Sequence, residues 1–101
     1  GTSEFLPSSE PKLRRLKDFL ALNAGIQVEI QGHVQEKGNN SFAGQKISEA
    51  RAKRVLKYLV ENGINKKRLV PKGYGNTAPI YEDPKFAYEE QANRRVEIKI
   101  L

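Results

Sequence analysis

The chain has 101 residues, with 18 Lys and Arg against 12 Asp and Glu, a single His, no Cys, Met or Trp, and a net charge of +6. This length supports one domain, which on folding buries about two-thirds of its unfolded surface, enough for a core without metal or disulfide. The lack of Cys excludes disulfide staples and Cys-ligated zinc, and the longest apolar stretch, Phe19 to Leu22, falls far short of the roughly 20 residues that span a membrane. With 38% hydrophobic and 30% charged residues the composition is that of a globular domain with a well-solvated surface, not of a disordered chain. Because it begins with Gly1 and holds no Met, the chain is read as a single domain, residues 1–101, excised from a longer protein. Any targeting or membrane-attaching segment is expected in the missing part.

Gly1 to Ser9 is rich in small and turn residues, and Ser8 or Ser9 is placed to cap a helix whose first turn accepts Pro11. Leu13, Leu16, Phe19 and Leu20 recur at helical spacing, and Asn23-Ala24-Gly25 stops the helix. Ile26, Val28 and Ile30 then alternate with polar residues as a strand does. From Gln31 to Gln45 no apolar period persists, which predicts a long loop of the kind that often carries function. Ile47, Ala52, Val55, Leu56, Leu59 and Val60 form one face of a second helix, ended by Asn62-Gly63. Leu69 to Tyr74 reads as a short strand, and its Pro71 favours an edge position. Asn76 to Gln91 is a polar connection with a helical turn near Lys85 to Glu90, and Val96, Ile98 and Ile100 close the chain in a last strand.

This order predicts an α+β domain in which two main helices pack on one face of a small mixed sheet. Three evident strands are thin for independent stability, so a first strand is expected to be truncated or to survive as Thr2 to Leu6.

Five motifs then fall in register with a known family. They are Gly32-His33-Val34-Gln35, Ile47-Ser48-Glu49-Ala50-Arg51-Ala52, Gly63-Ile64, Gly73-Tyr74-Gly75 with Pro79, and Asn93-Arg94-Arg95-Val96-Glu97-Ile98. Their order and spacing resemble the OmpA-like peptidoglycan-binding domain, from about Leu13 to Leu101. The resemblance implies a β/α/β/α/β/β sandwich on the periplasmic side of the outer membrane, and non-covalent, non-catalytic binding to the stem peptide of peptidoglycan, usually at diaminopimelate. The end of that side chain carries a carboxylate and an ammonium, so its reader needs a cationic fork and an acceptor. By resemblance Arg51 is the fork, since a guanidinium holds a carboxylate through two parallel hydrogen bonds.

The acceptor has changed. Where the family has Thr-Asp this sequence has Val34-Gln35, and a family Asn is replaced by Gly44. A neutral amide accepts a hydrogen bond from an ammonium but forgoes the ionic part, a loss worth about one or two powers of ten in affinity. Glu36 is a candidate replacement carboxylate, although alternation aims it away from Gln35. Ser48, Asn93 and Arg94 complete the candidate peptidoglycan-binding set.

Each has a plainer reading. Arg51 would otherwise be a solvated helix residue, although a place near the helix N-terminus favours anions. Gln35 would be a loop residue, Ser48 a helix-start hydrogen bonder, and Asn93 a residue that ties the loop together. His33 has no Cys or second His nearby, which makes it a hydrogen-bonded structural residue and not a ligand or base. Arg94 and Arg95 fall on opposite faces of a strand, and Lys66-Lys67-Arg68 reads as a solvated turn.

No nucleophile and base, carboxylate pair, metal set or cofactor motif is visible, so neither catalysis nor a cofactor is expected. Nucleic acid is not expected as a partner, because the basic residues are interleaved with acids and the eight aromatics are scattered. Two functions remain: a wall-binding module, or a scaffold that keeps the fold, has given up the wall and binds a protein. A sheet edge left open by a shortened N-terminus would also offer a dimer contact.

Overall fold

The computed structural model describes residues 10–101. The predictions of a strand at Thr2 to Leu6 and of a cap at Ser8 or Ser9 lie outside the described residues. Helix α1 spans Glu10–Leu22, β1 Val28–Gly32, α2 Phe42–Glu61, β2 Leu69–Gly73, α3 Ala87–Asn93 and β3 Val96–Ile100, with a 3₁₀ turn at Lys66–Arg68 before β2. The result is the expected α+β architecture, with three α-helices and a three-stranded mixed sheet among the described residues.

The sheet runs β2-β1-β3, with β1 parallel to β2 and antiparallel to β3. Alternation in β1 turns Val28 and Ile30 into the core. They meet Leu69 of β2, Leu13 and Leu20 of α1, and Ala52, Val55 and Leu59 of α2 in one apolar cluster. Pro71 sits on β2, an edge strand among the described residues, where a missing donor is tolerated. Phe19, predicted for the buried side of α1, is instead 37% exposed, because the inward stripe is carried by Leu13, Leu16 and Leu20.

Two local features depart from the sequence reading. Arg68 is no solvated turn residue: its guanidinium donates to the carbonyls of Leu20 (2.8 Å), Asn23 (2.8 Å) and Ile26 (3.0 Å). The Leu20 carbonyl lies in the last turn of α1 and also accepts from Asn23 N (3.4 Å), so one cation reinforces the helix C-terminus and ties it to the approach to β1. The second is the start of α2, which lies at Phe42 and not at Ile47. Its first turn has no apolar period, and its cap is assembled from the preceding loop. Ser41 Oγ accepts from Gly44 N (2.9 Å), while the Glu36 carboxylate accepts from Ser41 N and Ser41 Oγ (2.8 Å each).

Close approach of α2 to the sheet is set by a pair of glycines in register, Gly32 and Gly73. A Cβ on Gly32 would stand 1.8 Å from the Ser48 carbonyl oxygen, and one on Gly73 would stand 2.6 Å from Ser48 Oγ. The helix backbone therefore rests directly on the carboxyl ends of β1 and β2.

Candidate functional site

The connection from β2 to β3 returns to the same end of the sheet, because β2 is parallel and β3 antiparallel to β1. It crosses beyond the carboxyl end of β1, and a cleft of about 620 Å³ opens there. One wall is Val34 to Gly38 and the other runs from Asn76 and Pro79 to Lys85. Ligands commonly bind beyond strand ends of this kind.

Both walls are braced by side chains. Asn93, fully buried, accepts at Oδ1 from Ile80 N (2.8 Å) and Tyr81 N (2.9 Å), and donates through Nδ2 to Tyr81 O (2.9 Å) and Gln35 Oε1. Asn76 Nδ2 donates to Glu36 O (3.2 Å) and Gly38 O (2.9 Å). Arg95 donates to Ala78 O (2.7 Å) and Asn93 O (3.2 Å) and pairs with Glu97 (2.8 Å).

The predicted residues divide among these positions. Val34, Gln35 and Glu36 line the cleft. Val34 is buried and its N–H donates to Gly75 O (2.9 Å). The Glu36 carboxylate accepts from Ser41 N and Ser41 Oγ, two donors that hold it below the usual carboxylate range, and through them it braces the cap of α2. It also fills the space beside Gly44, where a Cβ would come within 2.5 Å of Glu36 Oε1.

Arg51 lies in the middle of α2, not near its N-terminus, so the anion preference of a helix start does not extend to it. It is half-buried, outside the cleft lining, and Nη1 donates to His33 O (2.6 Å). Burial, and secondarily the like charge of Arg94, lower its pKa. A guanidinium stays charged regardless, and an anion between the two would relieve both effects. Arg94 lies 3.9 Å from Glu90. Arg94 and Arg95 lie in the link between α3 and β3 and not on the strand expected to set them on opposite faces; Arg95 braces the loop, and Arg94 is a like charge near Arg51.

Ser48 is likewise interior to α2, correcting its placement at a helix start. Its hydroxyl donates to Gln45 O (2.8 Å) and accepts from Gly75 N (2.9 Å), which fixes the turn after β2.

His33 departs furthest from expectation. It is 2% exposed, and neither ring nitrogen has a hydrogen-bond partner among the described residues. The ring stacks on Tyr74 with centroids 5.4 Å apart. Burial first, then Arg95, push its pKa below the ordinary value, and Glu97 opposes them. Tyr74 Oη donates to Glu29 Oε1 (2.5 Å), and Lys72 Nζ lies 4.9 Å from its ring centre.

Reading the residues singly also missed a cluster. The aromatics are not all scattered: Tyr88 contacts both Tyr81 and Phe86, and Tyr81 lines the cleft. Their spacing within eight residues of a polar connection is the signal that could have found them.

The sequence matches the OmpA family over residues 1–94. The chain belongs to that family. It is 34% identical over 94 residues to outer membrane porin F of Pseudomonas fluorescens, covering 93% of this chain and 28% of that protein. It is also 34% identical over 96 residues to the peptidoglycan-associated lipoprotein of Pseudomonas aeruginosa, covering 89% of this chain and 54% of the lipoprotein. The chain thus spans a part of each of these relatives. Among solved structures, the peptidoglycan-associated lipoprotein of Burkholderia pseudomallei superposes with a TM-score of 0.89 over 99% of this chain and 83% of that one, at 18% identity. At that identity the likeness is one of fold.

Proposed function

We propose that this OmpA family domain is a non-catalytic module that binds the stem peptide of peptidoglycan and tethers the outer membrane to the wall from the periplasmic side. The observation that carries it is the Arg51 guanidinium, fixed on the His33 carbonyl one residue before the cleft lining begins, with Arg94 acting on it. Two cations sharing one neighbourhood suit a carboxylate. The similarity to a peptidoglycan-associated lipoprotein supports the ligand class.

Within this reading the ammonium of a diaminopimelate side chain meets Gln35. The amide oxygen already accepts from Asn93 and has one lone pair left. Glu82 and Asp83 on the facing wall add negative charge to the cleft. Calorimetric titration with a diaminopimelate-containing stem peptide tests the proposal. Arg51→Ala should abolish measurable binding, and Gln35→Asp should strengthen binding by about tenfold. Binding by Arg51→Ala equal to that of the parent overturns the site.

One observation favours the scaffold reading: the Gln35 oxygen is committed in part to the fold through Asn93. Under that reading the parent ignores the stem peptide at millimolar concentration and only Gln35→Asp responds.

A further inference from the structure

Three of the eight aromatic residues gather on the β2–β3 connection in an arrangement the stem-peptide site does not use. Phe86 and Tyr88 are near-parallel, 6° apart in plane with centroids at 5.8 Å, and Tyr81 meets Tyr88 edge-on at 6.3 Å. Both residues of this stacked pair remain exposed, at 62% and 64%. Exposed aromatic surface of this kind marks a contact site more often than chance.

The backbone that carries Phe86 and Tyr81 is also held in place. Glu89 Oε1 accepts from Lys85 N and Phe86 N (3.0 Å each), fixing the turn that presents Phe86. Asn93 does the same for Tyr81 through its N–H and carbonyl. Backbone that is already fixed forfeits little entropy when a ligand arrives.

Its surroundings select the ligand. Residues 81–90 hold Glu82, Asp83, Glu89 and Glu90 against Lys85 alone, acidic in a chain that is basic overall. That charge repels phosphate backbones and anionic lipid surfaces. Carboxylates and tyrosine hydroxyls beside exposed aromatic rings instead suit a neutral molecule with apolar C–H faces and hydroxyl edges, which describes a sugar ring.

We propose that Tyr81, Phe86 and Tyr88 form a carbohydrate platform that stacks an N-acetylhexosamine ring of the glycan strand, next to the cleft that takes the stem peptide. Tyr81 belongs both to the cluster and to the cleft lining, so one peptidoglycan unit can reach both. The inference rests on the stem-peptide reading only for the source of the sugar.

The experiment is an NMR titration of the 101-residue chain with a peptide-free β-1,4-linked N-acetylglucosamine tetramer, in parallel with a sugar-free stem peptide. The tetramer should shift amide signals of residues 80–90, and Tyr88→Ala or Phe86→Ala should each weaken it by about fivefold. Both variants change exposed side chains, and an unchanged amide spectrum elsewhere verifies their folds. Stem-peptide affinity should not change in either. No response to the tetramer at millimolar concentration, or a response indifferent to both variants, overturns the platform. So does concentration-dependent self-association that Tyr88→Ala removes, since the patch would then face a second copy. A chain that binds the tetramer and ignores the stem peptide keeps the platform and refutes the stem-peptide reading.

Discussion

The Nδ2 of Asn93 donates to the Oε1 of Gln35 across 58 residues of sequence, joining the two walls of the cleft. The same Asn satisfies Ile80 N, Tyr81 N and Tyr81 O. Asn93→Ala therefore leaves two backbone donors without their acceptor, and should cost about 3 kcal/mol in urea denaturation. A cost within error of zero would mean that water replaces the side chain freely. Hydrogen exchange should speed up at residues 80 and 81 before the sheet amides.

Gly32→Ala should be among the most damaging single changes available. The added carbon would stand 1.8 Å from a backbone oxygen of α2, which has no flexible end to move aside. The expected result is a loss of several kcal/mol or failure to fold, read by thermal unfolding. A variant that melts with the parent would mean that α2 does not rest on β1 at Ser48.

Gly44 and Glu36 should show coupled effects. Gly44→Ala alone pushes the Glu36 carboxylate off Ser41 and loosens the first turn of α2. In a Glu36→Ala background the three atoms nearest to the added carbon are gone, and the same change should stabilise the helix by up to about 1 kcal/mol. A double-mutant cycle measures the reversal of sign, and additive effects would rule out the steric link.

Stability should decline on mild acidification because of His33. The folded state holds this imidazole neutral with its pKa below the ordinary 6.5, whereas the unfolded chain protonates near that value. Its contribution is fully present above the unfolded pKa and falls as pH drops from about 6.5 toward the folded value. The groups facing the ring are Tyr74 from the end of β2 and Arg95 and Glu97 from the β3 side. Glu36, with its carboxyl held below 4.5, adds its own loss at lower pH, so the two windows separate. His33→Phe should flatten the decline that sets in as pH drops through about 6.5 in denaturant titrations. An unchanged slope would assign the decline to other groups.

Much of the fold was legible because the elements that bury apolar side chains carry a period. Val28 and Ile30, Leu13 and Leu20, and Val55 and Leu59 all face the core as their spacing predicts. The start of α2 was not legible, since Ser41 is capped by Glu36 from the loop and Phe42 points to solvent. That error moved Arg51 and Ser48 toward a helix terminus they do not occupy. Arg68 was misread for a related reason: its three carbonyl partners lie in the 20–26 stretch, and no local pattern announces them. The loop-tying role of Asn93 was recognised, but its partners were not.

The strand order has a last consequence. Because β1 lies between β2 and β3, the segment that links the outer two bridges the end of the middle one and contributes no rung to the sheet. Its length and chemistry are therefore free to diverge while the scaffold beneath stays constant. Among relatives that share this topology, change in what the domain recognises should accumulate in that bridge, as exchangeable parts do on a common chassis.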